Sequence, residues 1–544
     1  MSNEKEPANI GDEHGLITTK ARRRIQRRDS RTPLPMMSSI QDVFPAWQTG
    51  AVVFGLLGVA TIYSYRSSSR SLPLPPGPPE PPLGHYPPRK ISQWIDEYGP
   101  VISLSQGKNV LVIIGRHQEA IDIMEKQGAS LADRPRSVAG CDILGRGMRF
   151  VQIGAGERLR KFRKSSHSHL QVKSAQTYEP VQVAHARDIV LDILHDPKLH
   201  QQHIKRFAAS VILHVVYGKT TPTLLSDPYL LQLQKMIPRV QSAMMPGAYL
   251  VDKYPILKYI PGYGRNLKQW SQEEYEMLFG QLNWVKSQVS LHRPCHDPNR
   301  QSYIAPHSVA KDLLLHTDDN QLSETEIAYL SGSLIGAGSD TTAVAISTVL
   351  MAAARFPHAQ ARVHEELEAV IDRETPPTFE DWSQLVQLQA FILEALRWRP
   401  VNPIGLPHRA TKDIIWNGIC IPAGATVFGN HWSIGRDPTV YHDPEVFNPQ
   451  RWIGTDGEIK EDMKLFTFGF GRRACPGLHI ANRSVYIAVA LVLWSFTLAE
   501  DPSNPIDDTA FTPGVVSHQK PFGLTFKPRM DEALLRTIFY STGV

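Results

Sequence analysis

Apolar residues recur with a helical period along most of the chain. From Arg116 onward the spacing predicts helices over Arg116–Gln127, Gly156–Leu170, Gln176–Leu194, Gln201–Tyr217, Pro228–Ser242 and Gly264–His292. A longer one is predicted from Leu322 to Phe356. It opens on Ser323-x-x-Glu326, the capping-box pattern, and meets no proline until Pro357. Pro357–Ile371, Ser383–Trp398 and Gly477 to Ser495 complete the helical set. Strand signals are fewer. Val101–Ser105 and Asn109–Ile114 are β-rich runs joined by Gln106-Gly107-Lys108, which predicts a hairpin. Short strands are expected at Ile414–Trp416 and Thr426–Gly429, and a loop-rich stretch from Asp437 to Gly471. No internal repeat and no second linker interrupts this pattern. The expectation is one large, mainly α domain with small β-sheets over residues 91–544.

The N-terminal pattern differs. Residues 1–42 are polar, with Arg22, Arg23, Arg24, Arg27, Arg28 and Arg31 clustered, and predict a disordered tail. Val43 to Tyr65 is 23 residues without a charge. At about 1.5 Å per residue it can cross a hydrocarbon core of about 30 Å. Nine prolines then fall between Ser71 and Lys90, so residues 66–90 read as a stiff, extended hinge. An anchor at 43–65, a spacer and a body is the layout expected. The arginine cluster favours a cytosolic N-terminus under the positive-inside rule. The chemistry below favours a cytosolic body. Translation starting at Met36 or Met37 would remove the conflict.

Composition narrows the class. The 544 residues are 42% hydrophobic and 20% charged, which is ordinary for a globular protein. Of the net charge of +5, residues 1–70 carry ten basic and six acidic side chains; the rest holds 48 against 47. A body so close to neutral discounts nucleic acid as a partner. Cys141, Cys295, Cys420 and Cys475 are far apart and form no CxxC pair. A disulfide scaffold, a zinc ribbon and an iron–sulfur cluster are therefore not expected.

The chemistry concentrates around Cys475. Phe468-Gly469-Phe470-Gly471-Arg472-Arg473-Ala474-Cys475-Pro476-Gly477 reads F-x-x-G-x-R-x-C-x-G. Two glycines and an aromatic residue before the cysteine predict a tight turn whose N–H groups approach the sulfur. A helix starting just beyond it presents its positive end. Both effects favour a thiolate. A thiolate with no second cysteine beside it can be one axial ligand of a metal held mainly by something else. Haem fits, because its four pyrrole nitrogens need only one protein ligand.

These residues resemble the signature of the cytochrome P-450 family of haem–thiolate monooxygenases, and the resemblance runs from about Pro73 to the C-terminus. Three further motifs stand in order: Ala337-Gly338-Ser339-Asp340-Thr341-Thr342, Glu394-Ala395-Leu396-Arg397, and Phe447-Asn448-Pro449-Gln450-Arg451-Trp452. The resemblance implies a triangular helical prism with haem b between the long helix and the cysteine helix. It implies Cys475 as the iron ligand, Phe468 beside the haem, and Arg473, Arg163 and His408 as propionate partners. Leu159 stands where the family usually has tryptophan, so one propionate contact is expected to be missing. Glu394, Arg397 and Arg451 are expected to form a buried network that holds the cysteine loop. Asp340 and Thr341 are the expected proton-delivering pair. Gly332, Gly336 and Gly338 predict a local opening of the long helix over iron, which the adjacent acid and alcohol favour, with close helix packing as the alternative.

The function implied is insertion of one O2 atom into a lipophilic or aromatic substrate. Electrons would come from NADPH through a separate cytochrome P-450 reductase, with cytochrome b5 as a second donor. The location implied is the endoplasmic reticulum membrane, single-pass, with the catalytic domain facing the cytosol. The apolar, proline-punctuated segment Met244–Gly262 would either dip into the membrane surface or pack as an ordinary loop. Two alternatives stand beside this reading: a haem–thiolate isomerase or dehydratase, and a non-enzymatic haem sensor or electron carrier. Around Gly332–Val370 and Phe466–Ile480 the chain is similar to fungal members grouped with O-methylsterigmatocystin oxidoreductase and tryptamine hydroxylases, which implies secondary metabolism.

Overall fold

The computed structural model describes residues 72–79, 87–106, 109–219, 227–245, 247–291 and 307–541, all within one unit, Leu72–Val544. The expected tail, the expected membrane span and the Gly107-Lys108 tip of the hairpin lie outside the described residues. So does part of the hinge; residues 72–79 have no regular structure.

Helix α1, Pro88–Tyr98, corrects the end of the expected hinge. Its proline sits in the first turn, where no N–H is needed, and it buries Ile91, Trp94 and Ile95 on one face. Strands β1 (Val101–Gln106) and β2 (Asn109–Ile114) then pair antiparallel, as expected. β2 continues in parallel register with β6 (Thr426–Gly429), whose other edge takes β3 (His408–Arg409). β4 (Ile414–Trp416) and β5 (Ile419–Ile421) form a small hairpin. The expected helix Arg116–Gln127 is instead a short turn, His117–Glu119, running into a wider π-type segment, Ala120–Glu125.

The other predicted helices lie close to their expected bounds. They are α2 (Glu157–Leu170), α3 (Glu179–His195), α4 (His200–Tyr217), α5 (Pro228–Met244), α6 (Arg265–Leu291), α7 (Glu324–Arg355), α8 (Pro357–Val370), α9 (Val386–Trp398) and α10 (Leu478–Ser495). Val309–Leu315 and Glu532–Ser541 are helices that the pattern did not predict. The predicted helix over Gln176–Leu194 is in fact divided: Val172–Thr177 is a separate short helix. A strand pair, β7 (Phe496–Glu500) with β8 (Leu524–Pro528), closes the C-terminal part.

α7 organises the core. The Ser323–Glu326 capping box is formed in both directions. The helix packs on α4 and α10 and is buried along most of its length. Both α7 and α10 are long and apolar enough to cross a membrane, but each is mostly covered by the rest of the protein. Their hydrophobicity is that of core helices. α7 is continuous from Glu324 to Arg355. A Cβ on Gly332 would stand 2.1 Å from Leu278 Cδ2, and one on Gly338 would stand 2.8 Å from Ile212 Cγ1. Close packing therefore explains these two glycines. Gly336 meets no neighbour and lines the central cavity.

Candidate haem site

The cysteine loop is built by local geometry. Gly469 and Gly471 have φ of +77° and +48°, a region that side chains with a Cβ disfavour. A Cβ on Gly471 would also press on Met124 O at 3.0 Å, where the π-type segment passes. The reversal lets the Cys475 N–H donate to Phe468 O at 2.8 Å. α10 starts three residues later. Burial pushes the Cys475 thiol up, while the Gly477 N–H and Arg163 pull it down. Burial is the largest of these effects, and the Gly477 contact acts in the direction expected of the turn and the helix start. Coordination to a metal cation deprotonates such a thiol outright.

A buried carboxylate ties the segment before the cysteine loop to α9. Glu394 accepts from Arg397 at 2.7 and 2.8 Å and from Arg451 at 3.2 Å. Neither Glu394 nor Arg397 exposes side-chain surface. The expected three-residue network is present, and it is larger than expected. The Trp452 indole N–H and the Asn448 backbone N–H also donate to Glu394, at 2.9 and 2.8 Å. Arg397 in turn donates to Gly435 O and Pro444 O. Every lone pair and donor of the pair is thus directed, the condition under which buried charges are tolerated.

One side of the cavity is a cationic wall. Arg473 donates to Ala132 O and Ile153 O, and Arg163 of α2 to Ala474 O at 3.1 Å. Arg134 was not singled out from the sequence. It is buried, donates to Val151 O and Pro407 O, and lines the same cavity. Burial, with the Arg473 charge second, pushes Arg134 down to about 9; burial takes Arg473 down to about 10. Burial also lowers Arg163. His408, placed by β3, has Nδ1 2.7 Å from Leu131 O. Burial, then Arg134, pushes it down to about 3. One carboxylate stands in this group, Asp133, and it is shared with Arg409 and the Ala155 N–H. The wall therefore carries surplus positive charge. A ligand with two carboxylates beside a single-thiol metal site fits that donor set.

The opposite side is α7. Thr341 donates its hydroxyl to Ala337 O at 2.8 Å. Asp340 is met from two other elements: Gln241 of α5 donates to Oδ2 at 3.3 Å, and His518 Nε2 stands 3.2 Å from Oδ1. Cys475, Arg473, Arg163, His408, Phe468, Asp340 and Thr341 all line one cavity of about 410 Å³. Buried Leu159 lines it too. The rest of its wall is mostly apolar, with Phe150, Val211, Ile237, Val240, Val515 and Val516. Among the described residues, no cluster of three or more His, Cys, Asp or Glu offers another metal site.

Known proteins share this arrangement of sequence. The family profile described as cytochrome P-450 matches residues 82–526. Cytochrome P-450 monooxygenase 64 of Postia placenta is 45% identical over 490 residues, covering 89% of this chain and 97% of that protein. Cytochrome P-450 monooxygenase 88 of the same fungus matches at 45% with the same coverage. A cytochrome P-450 monooxygenase of Armillaria gallica is 33% identical over 520 residues, 91% of this chain and 96% of its own. The chain belongs to the cytochrome P-450 family, monooxygenases that carry haem iron on a cysteine thiolate and use a redox partner, O2 and a substrate.

Proposed function

We propose that this protein oxidises a lipophilic organic substrate by inserting one atom of O2, with electrons from NADPH delivered by a separate cytochrome P-450 reductase and assisted by cytochrome b5. The observation that carries the reading is that one cavity is lined by the Cys475 thiol, by Arg134, Arg163 and Arg473, by an acid–alcohol pair and by an otherwise mostly apolar wall.

Haem bound here supplies the iron chemistry that activates O2. Cys475 would ligate its iron. Arg473, Arg163 and Arg134 would hold its carboxylates by charge-assisted hydrogen bonds. His408 would join them when Nε2 carries a proton, which an adjacent carboxylate favours. Phe468 would pack beside it. The apolar lining excludes water and holds the substrate. Protons then need a defined route, and Asp340 with Thr341 supplies it.

The anchor 43–65 would place the protein in the endoplasmic reticulum membrane with the body in the cytosol. Three observations support this. Val43 to Tyr65 holds no charge. Cys141 and Cys475 are free thiols, as a reducing compartment would keep them. Leu250, Tyr254, Ile256, Tyr259 and Ile260 leave 48–75% of their surface exposed in the segment after α5. That patch favours docking on a membrane surface over an ordinary packed loop. The similarity to fungal monooxygenases supports a role in secondary metabolism.

Reconstitution of the full chain with reductase and NADPH, and comparison of metabolites with and without the protein, tests the reading. Products that carry one added oxygen per NADPH consumed are expected. A rearranged peroxide formed without NADPH would favour the isomerase or dehydratase reading.

A further inference from the structure

Asp340 is engaged on both carboxylate oxygens by groups from outside its own helix. Gln241 donates to Oδ2 from α5. His518 reaches Oδ1 from the loop between β7 and β8, with Nε2 at 3.2 Å. The loop is well fixed at that point. The His518 N–H donates to Thr512 Oγ1 at 3.1 Å, and its carbonyl accepts from the Thr512 N–H at 2.8 Å. The next residue, Gln519, donates to Thr348 Oγ1 and Val344 O of α7. The imidazole is thus carried on a loop pinned to the helix that bears the acid. Its side chain is 24% exposed against 13% for Asp340, so it stands on the solvent side of the acid.

We propose that His518 relays protons from solvent to Asp340. This rests on the reading of Asp340 as the proton source for the cavity. In one cycle the Nε2–H bond of a protonated His518 breaks and an O–H bond forms on Asp340 Oδ1. The carboxyl then gives that proton to the Thr341 side of the cavity. The neutral imidazole takes its replacement from a solvent acid, and no electrons move. Histidine suits the task because imidazole both gains and loses a proton in the neutral range, which lysine and arginine in their ordinary state do not. Gln241, which cannot titrate, keeps Oδ2 in place while Oδ1 exchanges its proton. Among the described residues, Asp340 is the charged group recorded against the His518 ring.

The test compares His518→Gln and Asp340→Asn with the wild type in the full-chain holoenzyme. Haem content is matched by the reduced, CO-bound absorption. One readout is NADPH oxidation with reductase and 7-ethoxycoumarin as the probe, in H2O and D2O. The other is guaiacol oxidation driven by added hydrogen peroxide, an oxidant that brings its own two protons. The expected result for His518→Gln is a fall of about a hundredfold in the NADPH-driven rate, the lower end of what a positioned acid contributes. The solvent isotope effect should rise and the peroxide-driven rate should hold. Glutamine keeps an N–H near Oδ1, so a merely structural tie would survive. An equal fall in both rates means that His518 only pins the loop, and no fall in either makes it a bystander; both overturn the relay. If Asp340→Asn slows NADPH oxidation while His518→Gln does not, the relay alone fails. If Asp340→Asn changes nothing, the reading of the acid fails with it.

Discussion

Trp452 donates its indole N–H to Glu394 Oε2 across 2.9 Å, at a site where Glu394 is wholly buried and Trp452 leaves 1% of its surface exposed. This contact makes the buried network a five-donor cradle around one carboxylate. It ties the Pro449–Trp452 turn to α9.

Replacing Trp452 by Phe keeps an aromatic ring but removes the N–H along with part of the buried side chain. One hydrogen bond to a buried charge is lost, at a cost of about 2 kcal/mol. The thermal midpoint should fall and haem should be lost faster, while the CO-bound spectrum of what remains is unchanged. An unaltered midpoint would show that the Arg397 contacts alone satisfy Glu394.

Cys475→Ser should abolish the red-shifted absorption of the reduced, CO-bound protein with little change in helix content. A neutral hydroxyl is a poor iron ligand and has none of the donor strength of a thiolate. The serine oxygen is smaller than the sulfur it replaces, so the substitution introduces no clash. Retention of the band in the variant would mean that the ligand lies elsewhere.

Leu159→Trp should tighten haem retention. Leu159 is buried, lines the cavity and lies one helical turn before Arg163. An indole N–H there can reach a carboxylate oxygen, worth roughly 1 kcal/mol net. Transfer of haem to an acceptor globin measures it; equal or faster loss counts against α2 as part of the cationic wall.

His431 gives a pH prediction. Its Nδ1 stands 2.8 Å from Asn402 O, its Nε2 is buried without a partner, and burial pushes it down to about 4. Below about pH 6.5 the unfolded chain takes up a proton that the folded one refuses. Stability must therefore fall as the pH drops from about 6.5 towards 4, by roughly 3 kcal/mol for this group. His408 and His364, pushed down to about 3 and about 4, act in the same direction. His431→Gln should flatten the dependence of the thermal midpoint on pH between 7 and 4.5. Parallel curves for variant and wild type would contradict it.

Features governed by local sequence were legible. The capping box, α7, the β1–β2 hairpin and the glycine turn before Cys475 each depend on residues within a few positions. The Glu394–Arg397 pair was legible from its i, i+3 spacing. Features set by distant contacts were not. Arg134 gains its role only because Pro407 and Arg473 are folded against it. His518 lies 178 positions from Asp340, and no periodicity marks it. α1 was missed although Ile91, Trp94 and Ile95 have helical spacing, because the flanking prolines read as a spacer. A proline in the first turn of a helix is a start signal as well as a breaker.

Thr341→Ala should uncouple the reaction while electrons continue to flow. In the structure the hydroxyl gives its hydrogen to Ala337 O at 2.8 Å. The oxygen keeps its lone pairs, so in this state Thr341 can only accept. It can hold a proton-bearing water or the Asp340 carboxyl in line with the cavity, and it can donate onward only by leaving Ala337. O2 that receives two electrons and two protons without ordered delivery leaves as hydrogen peroxide. The alanine variant should therefore consume NADPH while forming less product and more peroxide. Thr341→Ser restores a hydroxyl and should recover most of the coupling. Back-bonding of this kind also bends helices, so a purely structural role is the competing account. The two differ in one number, the ratio of product to NADPH. A structural role predicts that this ratio is kept in Thr341→Ala while the thermal midpoint moves. Proton delivery predicts a collapsed ratio at an almost unchanged midpoint, with recovery in Thr341→Ser.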